Sequence, residues 1–162
     1  MTVQYRKATR SDLERLWERS IRENPGDPRY LRWRDQFIAD NASGAAATFA
    51  VVIDGEPVGE GTLLFSPDCR AIRGRTCLAD GKTTVNINAL RIRTEFEGQG
   101  HISRLVQLME AHARRLGFRC ITIGVEENET RNRAIYSHWR YVNLVMEENQ
   151  DGERVLYYAK EL

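Results

Sequence analysis

Residues 97 to 105 place two glycines directly before a helix, and this junction constrains the fold more than any other segment. The run from Glu97 to Ser103 (EGQGHIS) follows an extended apolar stretch and precedes apolar residues at helical spacing. Glycine lets the backbone turn sharply and approach a ligand closely. The unpaired N–H groups and positive dipole end of the helix then favour an anion. The junction therefore predicts a site for a diphosphate-bearing cofactor, although a tight turn alone would also explain it.

The segment upstream of this junction, Thr83 to Ile92, has the composition of a strand. The alternation of its apolar residues shifts by one position partway along, and we call this shift a slip in apolar phase. Val85 and Ile87 occupy odd positions, whereas Leu90 and Ile92 occupy even ones. Because strand side chains alternate between faces, the slip predicts a bulge. A bulge leaves N–H and C=O groups free to pair with a ligand.

A helix and a second strand are predicted downstream. Gly117 stands where the helix should stop, and Phe118 to Val125 supplies the strand. A strand, helix, strand order requires a crossover, so we expect the two strands to be parallel. The predicted apolar face of the helix consists of Ile102, Leu105, Val106, Met109, Ala113 and Leu116.

Two further helices are predicted in the first quarter of the chain. Ser11 to Glu14 has the pattern of a capping box, which opens the first helix. Asp27-Pro28 opens the second, because proline is tolerated at a first helical position. Tyr30, Trp33 and Phe37 share a face of this second helix, and such a face more often belongs to a core.

Two hairpins are predicted around Asp-Gly pairs, a strong two-residue turn signal. Asp54-Gly55 separates strands at 47–53 and 56–65, and Asp151-Gly152 separates strands at 141–147 and 154–159. The stretch from Ser66 to Lys82 is the least regular, and predicts a long loop or an extra hairpin.

Composition limits the class of protein. The 162 residues carry a net charge of +1, which argues against a dominant nucleic-acid or membrane surface. Three cysteines without C-x-x-C spacing predict neither a disulfide framework nor a zinc site. We expect one domain over residues 1–162, located in the cytoplasm, with no metal, no nucleic acid and no membrane among its partners.

The segment from Asn128 to Tyr141 narrows the interpretation, because it predicts a short helix followed by an aromatic residue that begins a strand. With the glycine loop, it resembles the GNAT N-acetyltransferase superfamily, whose loop reads Q/R-x-x-G-x-G/A. Gly100 matches the fixed glycine of that loop, and Ile135-Tyr136 matches the Leu-Tyr pair of the later helix. Glu97 and Ile102 depart from the pattern, since they replace an Arg or Gln and a small residue.

The resemblance implies an α+β fold with a mixed, mostly antiparallel sheet, a bulged and splayed central strand, and helices on both faces. It implies direct transfer of an acetyl group from acetyl-CoA, as co-substrate, to a primary amine of a small molecule or peptide. A non-catalytic acyl-CoA-binding sensor or interaction module is the alternative. A homodimer stays open, because dimers are common for domains of this kind.

The resemblance also implies roles for individual residues. Tyr136 is the candidate acid for the departing thiolate, with a core tyrosine as the equal alternative. Tyr30 and Trp33 are candidate acceptor-site residues. The general base is unassigned among Glu60, Glu126, Glu127, a histidine or a water chain. The candidate coenzyme-binding residues are Leu90 and Ile92 through their backbone, Gly98, Gln99, Gly100, His101, Ile102 and Ser103 at the diphosphate, and Asn128 and Asn132 at the pantetheine arm.

Overall fold

A computed structural model describes all residues from Met1 to Leu162. It contains one seven-stranded sheet in the order β1-β2-β3-β4-β5-β7-β6. The β4–β5 pair is parallel, whereas β1–β2, β5–β7 and β6–β7 are antiparallel, so the predicted mixed α+β class is confirmed. The elements are β1 (Val3–Lys7), α1 (Arg10–Glu23), α2 (Pro28–Ser43), β2 (Ala46–Ile53), β3 (Glu56–Leu64), β4 (Thr84–Ile92), α3 (His101–Arg115), β5 (Cys120–Glu126), α4 (Thr130–His138), β6 (Asn143–Gln150) and β7 (Glu153–Glu161).

The chain divides into two compact units. The first unit consists of Met1–Leu63 and Ala89–Ala111, and the second of Leu64–Asn88 and His112–Leu162. The boundary crosses β4 between Asn88 and Ala89, so the first half of this strand belongs to the second unit and its second half to the first. None of the helices has the length and apolar character needed to cross a membrane.

The irregularity predicted in β4 lies at Ala89, whose φ is +53°. A non-glycine residue in the left-handed region is strained and is unusual inside a strand. Val85 and Ile87 before it are fully buried, whereas Leu90 and Ile92 after it are half-buried. The slip in apolar phase therefore marks the place where the backbone departs from regular strand geometry.

Within the first unit, α1 and α3 cover opposite faces of the sheet. The guanidinium of Arg91 on β4 lies 4.6 Å from the centroid of the Trp17 ring on α1. Leu90, the neighbour of Arg91, instead lies with Met109 of α3 against Gly61 of β3. Because consecutive strand residues face opposite sides, the two helices are separated by the sheet.

The structure corrects the predicted start of α1. The N-cap is Thr9, whose side chain accepts from the backbone N–H of Asp12, while the Asp12 carboxylate accepts from the backbone N–H of Thr9. The capping box is therefore formed by Thr9 and Asp12, and Ser11 lies inside the helix. Sequence alone did not distinguish the two, because both offer a hydroxyl residue three positions before an acidic one. The predicted start of α2, with Asp27 as N-cap and Pro28 in the first turn, is confirmed.

Both predicted hairpins are present, although β6 runs over Asn143–Gln150 and not 141–147, so Tyr141 precedes the strand and does not begin it. Asp54 and Gly55 have φ of +49° and +80°, and Asp151 and Gly152 have φ of +51° and +83°. Two consecutive positive φ angles are the signature of a type I′ turn. Residues 66–82 form turns without a strand, so the long-loop alternative is correct.

The predicted apolar face of α3 is buried along the middle of the helix, while Ile102 at its start is half-buried. Leu105, Met109 and Ala113 are fully buried, but Leu116 is 56% exposed, because the helix ends at Arg115. Gly117 follows with φ of +91°, as expected of a residue that terminates a helix. Leu116 therefore does not belong to the core.

Candidate active site

The junction between β4 and α3 presents unpaired backbone N–H groups beside two glycines. Gly98 has φ of +74° and Gly100 has φ of +83°, both in the left-handed region. The N–H of Arg104 donates to the carbonyl of Gly100 at 3.2 Å, closing the first turn of α3. The N–H groups of residues 101–103 precede that bond, and no carbonyl or side chain accepts from them. They form a cluster of free donors at the positive end of the helix dipole.

The space in front of these donors is open. A Cβ built on Gly98 or Gly100 would meet no atom within 4 Å, and residues 97–100 are exposed. The two glycines are therefore required by the backbone conformation and not by crowding. This arrangement leaves room for an anionic ligand to reach the backbone.

The second half of β4 has one strand partner. The ladder with β5 ends at the pair Ile87 and Ile123, although β5 continues to Glu126. Beyond that point β4 lies beside β3, where Leu90 and Ile92 occupy the space that side chains at Gly61 and Gly59 would fill. The backbone edge of residues 89–92 away from β3 is therefore free to pair with an extended amide-containing ligand.

The second unit holds the three predicted residues that precede or belong to α4. The amide nitrogen of Asn128 donates to the Glu153 carboxylate at 3.3 Å. Asn132 is half-buried in the first turn of α4. The Tyr136 ring stacks on Trp139 with centroids 5.7 Å apart. Burial and, to a smaller extent, the Glu129 carboxylate raise the pKa of the Tyr136 hydroxyl to about 12. The hydroxyl is therefore protonated at neutral pH and able to donate.

Tyr30 and Trp33 form an edge-to-face pair on α2 in the first unit. Their ring centroids lie 4.9 Å apart, and the Arg29 guanidinium lies 5.4 Å from the Trp33 centroid. No residue of α2 is fully buried. All three aromatics are half-buried, but the Phe37 ring packs on Trp17 of α1 with centroids 5.2 Å apart, whereas Tyr30 and Trp33 pack on each other. The three aromatics therefore do not form one core face.

The sequence that forms this loop, strand edge and helix also matches the model of a known protein family. The model of the Acetyltransferase (GNAT) family matches residues 10–139. The chain belongs to the GNAT acetyltransferase family. It is an enzyme that transfers an acetyl group from acetyl-CoA to an amine. No curated protein matches this GNAT acetyltransferase.

Solved structures agree on the fold. An N-acetyltransferase from Staphylococcus aureus Mu50 is 13% identical, with a TM-score of 0.74 and 99% of each chain covered. RimL, a ribosomal L7/L12 alpha-N-protein acetyltransferase solved with coenzyme A, is 17% identical, with a TM-score of 0.70, covering 100% of this chain and 95% of its own. NAA60 from Arabidopsis thaliana, solved with a bisubstrate analogue, is 18% identical, with a TM-score of 0.70, covering 99% and 98%.

Several candidate bases of this GNAT acetyltransferase are engaged within the chain. Glu60 is 1% exposed, and its carboxylate lies 2.9 Å from the Arg91 guanidinium. Burial raises the pKa of Glu60 above its ordinary range, although Arg91 opposes the shift. Glu127 pairs with Arg154 at 3.4 Å, whereas Glu126 is half-buried at the end of β5. Glu127 is the more exposed of these carboxylates, but it is held in an ion pair, whereas Glu126 makes none.

A cavity of about 170 Å³ lies in the first unit between α1, the start of β3 and the end of β4. Its apolar wall includes Leu16, Val58 and Ile92, and its polar wall carries three arginines. Each guanidinium already has a carboxylate partner in the chain, which neutralises its charge. These pairs are Arg19 with Glu23 at 2.9 Å, Arg91 with Glu60 at 2.9 Å, and Arg93 with Glu56 at 3.0 Å.

A polar cluster in the second unit was not predicted from the sequence. The Tyr157 hydroxyl lies 3.0 Å from the carboxylate of Glu148 and 3.0 Å from the amide nitrogen of Gln150. Arg75 pairs with the same carboxylate, and its guanidinium lies 5.3 Å from the centroid of the Tyr157 ring. The ring covers Gly124 on β5, where an added Cβ would lie 2.7 Å from it. A glycine inside a strand signals such close approach, so Gly124 was the available clue.

Proposed function

We propose that this acetyltransferase moves the acetyl group of acetyl-CoA directly to a primary amine of a small molecule or peptide. The observation that carries the proposal is the cluster of free N–H groups at residues 101–103, beside Gly100 with its positive φ. A diphosphate offers several acceptor oxygens and negative charge, which suit these donors and the helix dipole.

The coenzyme is held largely by backbone groups in this proposal. Residues 98–103 bind the diphosphate, and the free edge of β4 at Leu90 and Ile92 pairs with the amides of the pantetheine arm. Backbone donors do not depend on side-chain identity, so Glu97 and Ile102 do not remove them. The amide side chains of Asn128 and Asn132 are further contacts to the pantetheine arm.

The reaction requires a deprotonated amine, a polarised thioester and a proton for the leaving thiolate. The amine nitrogen bonds to the thioester carbonyl carbon and releases one proton to the unassigned base or to water. The carbon–sulfur bond then breaks and the sulfur takes a proton from the acid, which the released proton replaces. A backbone N–H in the segment from Leu90 to Ile92 polarises the carbonyl oxygen. Tyr136 donates the proton to sulfur, and its raised pKa means that the hydroxyl carries this proton at neutral pH.

The acceptor site of the proposal includes Tyr30 and Trp33. Their half-exposed rings leave an aromatic surface that suits the aliphatic or cationic part of an amine. RimL and NAA60, whose folds match this chain, are respectively an alpha-N-protein acetyltransferase and a protein solved with a bisubstrate analogue. These similarities support including peptide amines among the acceptors to be tested.

Calorimetry on two variants tests the assignment of the coenzyme loop. Gly100→Val forces a branched side chain into the left-handed region, at a cost of about 1–2 kcal/mol, and displaces the donors. We expect it to weaken acetyl-CoA binding at least about tenfold. Tyr136→Phe keeps the ring and should leave the dissociation constant within about twofold, while lowering kcat about a hundredfold. Equal affinities in the two variants would count against the loop.

A thioester-consumption assay over a panel of small and peptide amines tests the activity. Turnover of at least one amine supports the proposal. Gly100→Val should lose this turnover progressively as the acetyl-CoA concentration is lowered. Saturable coenzyme binding without turnover of any amine would favour the sensor or interaction module instead.

A further inference from the structure

A chain of side-chain contacts links the first strand to the glycine loop. The Tyr5 hydroxyl on β1 lies 2.7 Å from Nδ1 of His101, the first residue of α3. Nε2 of the same ring lies 3.2 Å from Oε1 of Gln99. The amide nitrogen of Gln99 lies 3.4 Å from the carbonyl oxygen of Glu95. All four residues belong to the first unit.

The Glu95 carbonyl fixes which group donates and which accepts in each of these hydrogen bonds. A carbonyl oxygen only accepts, so the Gln99 amide nitrogen must face Glu95 and its oxygen must face His101. That oxygen also only accepts, so Nε2 of His101 carries the proton. In a neutral ring Nδ1 is then the acceptor, and the Tyr5 hydroxyl donates to it. The contacts therefore run in one direction, from Tyr5 to Glu95.

These side-chain contacts reach into the glycine loop, so they affect the conformation of the proposed coenzyme site. Gln99 lies between Gly98 and Gly100, the two residues with the most conformational freedom in the loop. Its side chain is exposed, whereas the His101 ring is 7% exposed and fixed against Tyr5. The Arg104 guanidinium lies 5.9 Å from the centroid of the Tyr5 ring. The part-buried Tyr5–His101 contact thus restrains the exposed Gln99 side chain.

We propose that Tyr5 and His101 are positioning residues, which hold the coenzyme loop in its binding conformation before the ligand arrives. This inference rests on the proposed coenzyme site. A loop that is already ordered loses less conformational entropy on binding, so its affinity is higher. Neither side chain touches the coenzyme in this account, and both act through Gln99 and the backbone of residues 98–101.

Tyr5→Phe tests the proposal, because it removes one hydroxyl and keeps the ring. We expect the dissociation constant and the KM for acetyl-CoA to rise about threefold to tenfold, as one hydrogen bond predicts. The kcat and the KM for the amine should not change, because neither depends on the loop once the coenzyme is bound. His101→Leu removes both contacts of the ring and should give a larger rise in the same constants.

Tyr158→Phe is the matched control, since it removes a tyrosine hydroxyl from a half-buried position on β7. It should leave the affinity for acetyl-CoA unchanged. If the wild-type protein binds acetyl-CoA and Tyr5→Phe binds it equally well, the inference is wrong while the proposed function stands. If the wild-type protein does not bind acetyl-CoA, the proposed function itself fails.

Long-range proton–nitrogen correlation spectra supply a readout that general destabilisation would not change. With the ring neutral, His101 should carry its proton on Nε2, and the Nδ1 resonance should shift when Tyr5→Phe removes the donor. Comparison with His101→Leu assigns the signals among the three histidines. A proton on Nδ1 in the wild-type protein would overturn the directional chain and the inference with it.

Discussion

The loops before and after β4 both present rows of backbone N–H groups, but only one of them supplies its own acceptor. Before β4, the Asp80 carboxylate accepts from the N–H groups of Lys82, Thr83 and Thr84 at 2.8–2.9 Å and from the Thr83 hydroxyl at 2.8 Å. After β4, the N–H groups of residues 101–103 have no acceptor, and Gly100 offers no side chain.

The difference separates donors that the chain satisfies itself from donors that it leaves open. Buried or clustered N–H groups that serve the fold are normally satisfied within the chain. The Asp80 loop shows how a carboxylate meets such a cluster, and the glycine loop leaves the same kind of cluster open. An anion from outside the chain can therefore take the place that Asp80 occupies in its own loop.

The largest expected effect comes from giving the glycine loop an acceptor of its own. Gly100→Asp places a carboxylate beside the free donors, where it both accepts from them and repels a diphosphate. We expect acetyl-CoA affinity to fall about a hundredfold, with little loss of stability, because Asp tolerates the left-handed region. Calorimetry and thermal unfolding measure the two quantities.

Gly100→Asn is the matched control for this change. Its side chain has the same shape and tolerates the same backbone conformation, but it carries no charge. The affinity should fall only about tenfold. Equal losses for Asp and Asn would show that crowding, and not charge, governs the loop.

The next largest effect comes from removing the acceptor of the other loop. Asp80→Ala leaves three N–H groups and a hydroxyl without their partner, and should lower the free energy of unfolding by about 2 kcal/mol. Asp80→Asn keeps one carbonyl oxygen and should lose about half as much. Denaturant unfolding measures both. A loss no greater than about 0.5 kcal/mol for Asp80→Ala would mean that water replaces the carboxylate.

The smallest expected effect is the acid dependence of the same contacts. Burial raises the pKa of the Asp80 carboxyl, but the backbone donors and the Thr83 hydroxyl outweigh it and hold the pKa well below its ordinary value of 3.8. A lowered folded-state pKa stabilises the fold above 3.8, and this stabilisation is lost as the pH falls toward the folded-state value. The stability difference between the wild-type protein and Asp80→Asn should therefore shrink as the pH drops below 3.8. A difference that stays constant would contradict the assignment.

Features set by short-range backbone preferences were predictable from the sequence. The Asp-Gly turns, the proline at the start of α2 and the glycine after α3 each reflect a conformation that few residues adopt. The slip in apolar phase predicted an irregularity in β4, which the structure has at Ala89, because the alternation of side chains across a strand leaves little choice.

Burial within the sheet was not predictable from the same local signals. Both Asp-Gly hairpins have the same turn, yet every residue of β2 is buried and none of β6 is fully buried. The reason is position, since β6 is an edge strand and β2 is an inner one. Strand order depends on contacts between residues far apart in sequence, which a local pattern does not contain.

By itself, the sequence determined the glycine junction, the order of strands and helices around it, and the resemblance that the family match bears out. Only the tertiary structure decided which polar groups and side chains find partners far away in the sequence. It brought Tyr5 to His101, 96 positions apart, and Tyr157 over Gly124. Local conformation depends on residues a few positions apart, whereas hydrogen bonding and close packing across strands depend on which distant residues the fold makes neighbours.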